Sequence, residues 1–303
     1  MNGVALFAGD VSLDLTMSVS HVPGPDEKVR VDALYEAPGG VVSNAAVAAR
    51  LAGASVRLLA CTGSDLASRT VPGLLRARGV EIDFAERPGA LCRAVIVVDR
   101  AGEKRLLLHP GSSMYPSLEQ VSGVSLTGVR WLHTAIYERE EAGLLIERCR
   151  QAGIPFSIDL EPVTFGDGID GLAHHVAGAA VVFCNTRAAE RLAPDAAEQA
   201  TARLERLGVR SVVMTQGPSG ATWHGGGRAV AIAAPKIVAA DTTGAGDCLA
   251  GWFVAGTLAG AAPAEALRMA VIAASWSCAR FGAQASFPGR ADIDCLSARG
   301  TTS

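Results

Sequence analysis

Asp241-Thr242-Thr243-Gly244-Ala245-Gly246-Asp247 runs directly into the apolar stretch Cys248 to Leu258. The apolar stretch reads as a helix, so Gly244, Ala245 and Gly246 fall at its N terminus. There the backbone N–H groups lack intrahelical partners and the helix dipole favours negative charge. Glycine adopts the dihedrals that aim successive N–H groups at one point, and it leaves room for an oxyanion to approach. Asp247 then stands where charge develops during group transfer, able to take a proton from an attacking hydroxyl. From these residues alone two readings stand: an anion site with an adjacent base, or a turn shaped by Asp and Thr before glycines. The stretch is not the form GxxxxGK[ST], which occurs nowhere else in the chain, so phosphate would have to be held without a P-loop lysine.

Upstream of this turn, the apolar runs Val129 to Thr134, Pro155 to Leu160, Ala180 to Cys184 and Ser211 to Met214 alternate with helical candidates. Those candidates are Glu140 to Gln151, Ile169 to Val176 and Pro194 to Leu207. The rhythm predicts a parallel sheet covered by helices. Gly225-Gly226-Gly227 predicts a hairpin or open loop before Val230 to Ala234. The first part of the chain reads differently. Leu15 to Ser20, Val29 to Glu36, Leu91 to Val98 and Lys104 to His109 are strand-like, with no long helix inside either pair, and predict a small separate sheet. Between the pairs, Pro38-Gly39-Gly40 loosens a turn into the alanine-rich helix Ala45 to Leu51.

The first strand, Val4 to Ala8, ends at Gly9-Asp10 and is followed by Leu13-Asp14-Leu15. Polar groups just past strand ends are well placed to meet a ligand. Asp14 and Asn44 thus become candidates for one crevice, where a carboxylate and a carboxamide pair well with the hydroxyls of a polyol. The plainer alternatives are a turn cap for Asp14 and a helix cap for Asn44.

Composition sets the outer limits. With 303 residues, 49% of them hydrophobic, 34 glycines and only 19% charged residues, the chain suits one large α/β domain, with or without a small appendage. A net charge of -3 with 27 Lys and Arg spread along the length leaves no footprint for a nucleic-acid backbone. Cys61, Cys92, Cys149, Cys184, Cys248, Cys278 and Cys295 lack CxxC spacing and read as thiols of a reducing compartment. The start has no basic region before its apolar run, and the longest helical apolar segment, Ala264 to Ala279, carries Glu265 and Arg268. A cytoplasmic protein with no membrane partner is the expectation.

The segment Asp241 to Gly251 resembles the C-terminal signature of the ribokinase-like, or PfkB, family of sugar and nucleoside kinases. Gly39-Gly40-Val41-Val42-Ser43-Asn44, continued to Gly53, resembles its N-terminal signature. Two signatures in the right order are far more specific than one glycine turn, and the likeness in order and spacing extends from Gly9 to Gly282. The resemblance implies one ribokinase-like domain over residues 1–303, a three-layer α/β/α fold, with a small β-sheet lid from segments of approximately 12–37 and 90–110. It implies ATP-dependent phosphorylation of a hydroxyl on a sugar or sugar-derived molecule, with Mg2+ accompanying ATP. On the matching positions, Asp247 is the base, Gly244, Ala245 and Gly246 are the anion hole, and Thr242 lies near the phosphate. Asp14, Gly40 and Asn44 bind the acceptor.

Thr215-Gln216-Gly217-Pro218-Ser219-Gly220 resembles the family's Thr-x-Gly-x-x-Gly segment near ATP. That makes Thr215 and Gly217 nucleotide candidates, with Gly220 open between that role and a turn. Ser275, Cys278, Gly282 and Ala283 fall where the family closes one side of the adenine pocket. Arg105 reads either as a lid residue facing substrate oxygens or as edge-strand charge. Lys28, Arg30 and Arg93 add positive charge that would suit an anionic acceptor. The chain departs from the family at Asn185: the glutamate of the family's Asn-x-x-Glu, which orders magnesium and its waters, is replaced by Ala188. Glu190 lies about 140° around a helix from Asn185 and is a poor substitute. Asn185 is left to keep part of the hydrated shell, and Asp159 and Glu161 are either electrostatic contributors or caps. A lid face left uncovered would pair with a second copy as a homodimer. The competing functions are a nucleoside kinase, which would need Tyr35, Tyr115 or Tyr137 at the acceptor, and a noncatalytic sugar sensor.

Overall fold

The computed structural model describes residues 3–100, 104–166, 168–194, 196 and 199–299. Its first half contains β1 (Val4–Ala8), β2 (Ser12–Val19), β3 (Val31–Gly39), α1 (Val41–Leu51), β4 (Ser55–Thr62), α2 (Leu66–Ala77), β5 (Glu81–Glu86), β6 (Cys92–Val98) and β7 (Lys104–His109). Then come α3 (Leu118–Gly123), β8 (Val129–Ala135), α4 (Arg139–Gln151), β9 (Phe156–Asp159), α5 (Ala173–Val176), β10 (Val181–Asn185), α6 (Thr186–Leu192), α7 (Ala200–Arg206) and β11 (Ser211–Thr215). The hairpin β12 (Ala221–Gly225) and β13 (Arg228–Ile232) precedes α8 (Ala245–Leu258), α9 (Pro263–Ser277), α10 (Ala283–Ser286) and α11 (Arg290–Arg299).

The main sheet runs β13-β12-β11-β10-β9-β8-β1-β4-β5, parallel from β11 to β5 with an antiparallel hairpin at one end. Because side chains alternate along a strand, β1 feeds two cores at once. Ala5 and Phe7 pack into the core shared with α1, α2, α8 and α9, whereas Leu6 and Ala8 pack into the core shared with α3 to α7. These are the three layers. A second sheet, β3-β2-β6-β7, is built from the strand segments of the first part of the chain. Leu34 of β3 and Leu106, Leu107 and Leu108 of β7 are exposed on its outer strands. Among the described residues no helix is long and apolar enough to cross a membrane.

Several elements differ from the sequence reading. The helix expected from Ala45 begins at Val41, because Gly40, at φ 100°, ends β3 and the carboxylate of Asp10 accepts the N–H groups of Val41 and Val42 at 2.8 and 3.0 Å. The segment Ile169 to Val176 divides into a 3-10 turn, Ile169–Leu172, and the single turn α5. The helix read over Pro194 to Leu207 narrows to α7, with residues 195, 197 and 198 outside the described set. β5 and α2 have no counterpart among the segments read from sequence; β5 is half-exposed, so its apolar pattern is weak.

α1 and α8 lie against each other, and Gly251 sets how close they come. A Cβ there would meet Ala45 O at 2.3 Å, Ala48 Cβ at 2.7 Å and Ala49 N at 2.8 Å. Gly251→Ala is therefore expected to cost about 1–3 kcal/mol by overpacking. Gly73→Ala, in exposed helix with nothing within 4 Å of the new Cβ, is expected to gain about 0.5–1 kcal/mol. Urea unfolding of the two variants checks the pair; equal midpoints would contradict the packing argument.

Candidate active site

The C-terminal ends of β1, β9, β10 and β11 open on one side of the sheet, the usual place for a ligand in a parallel α/β fold. Asp10 follows β1, Asp159 ends β9 with Glu161 two residues later, Asn185 ends β10 and Thr215 ends β11. The turn before α8 covers them. A cavity of about 180 Å³ results, lined by Asp159, Glu161, Asn185, Thr215, Thr242 and Gly244 through Asp247.

Gly244 is the N-cap of α8 in the left-handed conformation, φ 75°, and no side chain caps the helix. Its glycine identity has a second cause, since a Cβ would lie 2.7 Å from Ala283 Cβ. Gly246 is different. A Cβ there would meet nothing within 4 Å, so the fold does not require this helical glycine. Glycine in a helix is costly relative to alanine, and what its absent side chain leaves is room at the cavity wall beside uncapped N–H groups. That room, next to a helix N terminus, fits a phosphoryl group.

Asp247 sits in the first turn of α8, and Asn44 Nδ2 donates to its Oδ2 at 2.8 Å. Asn44 is itself held, its Oδ1 accepting from Gln284 Nε2 at 3.0 Å, and Gln284 is buried. Burial raises the Asp247 carboxyl well above the usual carboxylate range; the Asn44 bond works against this, and the charges of Glu161, Asp10 and Asp14 reinforce it. Asp159 is raised well above its ordinary value by burial and by Glu161, Asp247 and Asp10. Burial likewise pushes Asp10 up to about 6 despite its two backbone N–H donors, and Glu161 up to about 6 with help from Asp10. Asp14 accepts from Ser12 Oγ at 2.5 Å and is raised by burial. The fold thus gathers five carboxyl groups whose charges repel, a site suited to proton acceptance and to cations brought by a ligand.

Residues 5–290 match the pfkB family of carbohydrate kinases. The chain belongs to this family. Its members phosphorylate sugar hydroxyls. A ribokinase from Bacillus subtilis is 25% identical over 301 residues, covering 95% of this chain and 97% of its own length. A 2-dehydro-3-deoxygluconokinase from Thermoproteus tenax is 28% identical over 281 residues, covering 84% and 82%. The crystal structure of a ribokinase from Thermotoga maritima superposes with a TM-score of 0.84 at 24% identity, over 98% of this chain and 100% of that one. The fold is ribokinase-like.

Of the residues singled out from sequence, the cavity of this pfkB chain joins Asp247, Gly244, Ala245, Gly246, Thr242, Asn185 and Thr215. Asn44 reaches them through Asp247 and lies inside α1, not at its cap. Gly40 brings the chain within close approach of Asp10, where a Cβ would lie 2.7 Å from the Asp10 carbonyl oxygen. Gly282 donates its N–H to Asp241 Oδ2 at 3.0 Å, and Ser275 is buried in α9. Gly217, φ 56°, opens the 3-10 turn Gly217–Ser219. Gly220 is needed by the backbone itself, since its Cβ would lie 2.0 Å from Ile232 O. Arg105 is exposed and donates to Lys104 O at 3.2 Å; the bonds from β7 to the glycine turn are made by Lys104.

Asn185 accepts the Ala188 N–H at 2.8 Å as the N-cap of α6, Ala188 is buried, and Glu190 is exposed. Glu161 makes no capping bond to the 3-10 turn that it precedes. Beside Asp247, the acids lining the cavity are Asp159 and Glu161. Asp10, Gln284 and Lys104 join the site through partners distant in sequence, and of the three only Asp10, just past a strand end, carries a local signal.

A crowded carboxylate carries a pH signature. Glu161 is raised from 4.5 to about 6, so its favourable contribution to folding is complete below pH 4.5 and is lost as pH rises through about 6. Above that, charged Glu161 destabilises the ligand-free protein. Glu161→Gln is expected to stabilise at pH 8 and to make little difference near pH 4.5. Denaturant melts at the two pH values check it; a gain of equal size at both would contradict it.

Proposed function

We propose that this pfkB-family chain transfers the γ-phosphoryl group of ATP to a hydroxyl of a neutral sugar or close polyol, with Asp247 as general base. The observation that carries the reading is Asp247 beside an uncapped helix N terminus with open room at Gly246. The acceptor hydroxyl gives its proton to Asp247 while its oxygen bonds to the γ-phosphorus and the bond from that phosphorus to the β,γ-bridging oxygen breaks, releasing ADP. Asn44 holds Oδ2 of the base, leaving Oδ1 to accept the proton. The N–H groups of the turn stabilise charge on the transferring group. A raised carboxyl is a stronger base than an ordinary one, and the charge it carries is offset once cations enter with ATP.

Among the described residues no group of three or more His, Cys, Asp or Glu is arranged to hold a metal on its own. The oxygen donors Asp159 and Glu161 in the cavity nevertheless fit a hard dication that keeps waters and phosphate oxygens in its shell, as Mg2+ does. When bound, Mg2+ would supply neutralisation of the phosphates. Asn185 would face its waters.

Asp14 on β2 and Asp10 beside Gly40 give the acceptor side carboxylates, which pair with hydroxyls and repel an anion. Arg93 is committed to Asp65, and Lys28 and Arg30 are exposed. These features favour a neutral acceptor. An aromatic seat for a nucleobase is not offered by Tyr115, which is buried with its hydroxyl on Thr134, nor by Tyr35, stacked on Phe281; of the three tyrosines Tyr137 alone stands beside the site, packed against the main core and raised by burial and by the charges of Asp10, Glu161, Asp159 and Asp247. A sensor would have no use for the base. The second sheet serves as a lid that excludes water from the transfer. Its exposed leucines on β3 and β7 support pairing with a second copy.

Asp247→Asn is expected to lower single-turnover transfer by about 10²-fold or more while nucleotide binding changes little. A folded variant with near wild-type transfer would sink the assignment. Asp14→Asn is expected to raise the acceptor KM by roughly 10-fold or more with kcat largely kept. A loss of kcat with unchanged KM would remove Asp14 from acceptor recognition.

A further inference from the structure

Lys104 begins β7, an edge strand of the lid, yet its ammonium enters the large domain. Nζ donates to Asp241 Oδ1 at 2.8 Å, Thr242 Oγ1 at 3.1 Å and Thr243 Oγ1 at 2.7 Å. Asp241 is 7% exposed, and its carboxylate also takes the Thr243 N–H at 2.9 Å and the Gly282 N–H at 3.0 Å. The nest lies immediately before Gly244, and its Thr242 already lines the cavity. A contact from the opposite lid edge reaches the same region: Tyr35 of β3 stacks on Phe281, ring centroids 6.0 Å apart and planes 8° apart. Both outer strands of the lid therefore rest on the segments around Asp241 and Gly282. Between them β2 carries Asp14.

We propose that Lys104 is a positioning residue, a tethered cation that orders the Asp241–Thr243 turn when the lid closes and so couples the acceptor side to the phosphoryl side. The inference rests on the kinase reading. An exposed ion pair is worth little, but a buried carboxylate stripped of its cation is costly, and three oxygens converge on this one ammonium. Burial works to raise Asp241, yet Lys104, Thr243 and the Gly282 N–H together hold it below its ordinary value. The Lys104 side chain stays 29% exposed, so water can reach the pair and the latch can open. With the lid withdrawn, Asp241 loses its cation and the turn loses the bonds to both threonine hydroxyls. The glycine turn is then ordered chiefly when the acceptor side is covered, which disfavours transfer to water.

The test compares wild type with Lys104→Ala and Lys104→Gln. In ligand-free protein, hydrogen exchange of residues 104–109 and 241–246 is expected to quicken in both variants. The variants should also bind AMP-PNP with magnesium more weakly and show a kcat/KM for ATP at least tenfold lower (about 1.4 kcal/mol or more). Ammonium chloride, compared with tetramethylammonium chloride at equal ionic strength, is expected to restore part of the loss in Lys104→Ala by filling the nest. Unchanged exchange in both segments, or a deficit in a folded variant that ammonium leaves untouched, would overturn the proposal. If Lys104→Ala fails to fold, Lys104→Gln decides: its side chain is one atom shorter and offers an amide N–H donor without the charge, and wild-type kinetics in it would overturn the role of the cation. A wild type whose two segments are held by Lys104 but which makes no acceptor-dependent ADP would leave the latch standing and sink the kinase reading instead.

Discussion

The close approach of α1 and α8 is the constraint on which the site depends. Gly251 and the alanines opposite it let two helix backbones meet, and that contact sets Asn44 against Asp247 across 203 residues of sequence. A small residue at the crossing thus becomes an orientation for a carboxylate. The same crossing packs the core on one face of the sheet, so site geometry and stability are tied to the same side chains. Gln284 secures the arrangement from a third element by holding Asn44.

Around this fixed point the fold collects negative charge. Asp10, Asp14, Asp159, Glu161 and Asp247 come from different strand ends and helices, and burial raises each above its ordinary value. Such crowding opposes folding of the empty protein and favours a ligand that arrives with cations and hydroxyls. Asp10 is the member with a structural duty as well, since its carboxylate caps α1 and so fixes where the N-terminal signature begins. The cost of burying it is partly offset by two backbone N–H bonds that the helix start needs in any case.

Local chemistry was legible in the sequence: the strand–helix rhythm, the four strands of the second sheet, the hairpin at Gly226 and Gly227, and the glycine turn before α8. These follow from periodicity and from backbone freedom at glycine, which act over a few residues. What stayed hidden was long-range. The bonds from Asp10 to α1, Lys104 to Asp241 and Gln284 to Asn44 span 31, 137 and 240 residues, and no local pattern announces them. Lys104 and Arg105 are adjacent on β7 and point to opposite faces, and sequence alone does not say which of the two faces the large domain. Ala188 marks the missing acidic position of the family pattern locally, whereas Asp159 and Glu161 line the cavity only through the pairing of β9 with β10, which no local pattern announces.

The central claim is that the crowded carboxylate at the start of α8 serves phosphoryl transfer to a sugar hydroxyl. Its most direct test measures ADP formation by the wild-type protein with MgATP across a panel of ketoses, aldoses, sugar acids and nucleosides. The account predicts ADP produced in step with one phosphorylated product, strongest for a neutral sugar and small without acceptor. ATP binding with no acceptor-dependent ADP from any member of the panel would contradict it.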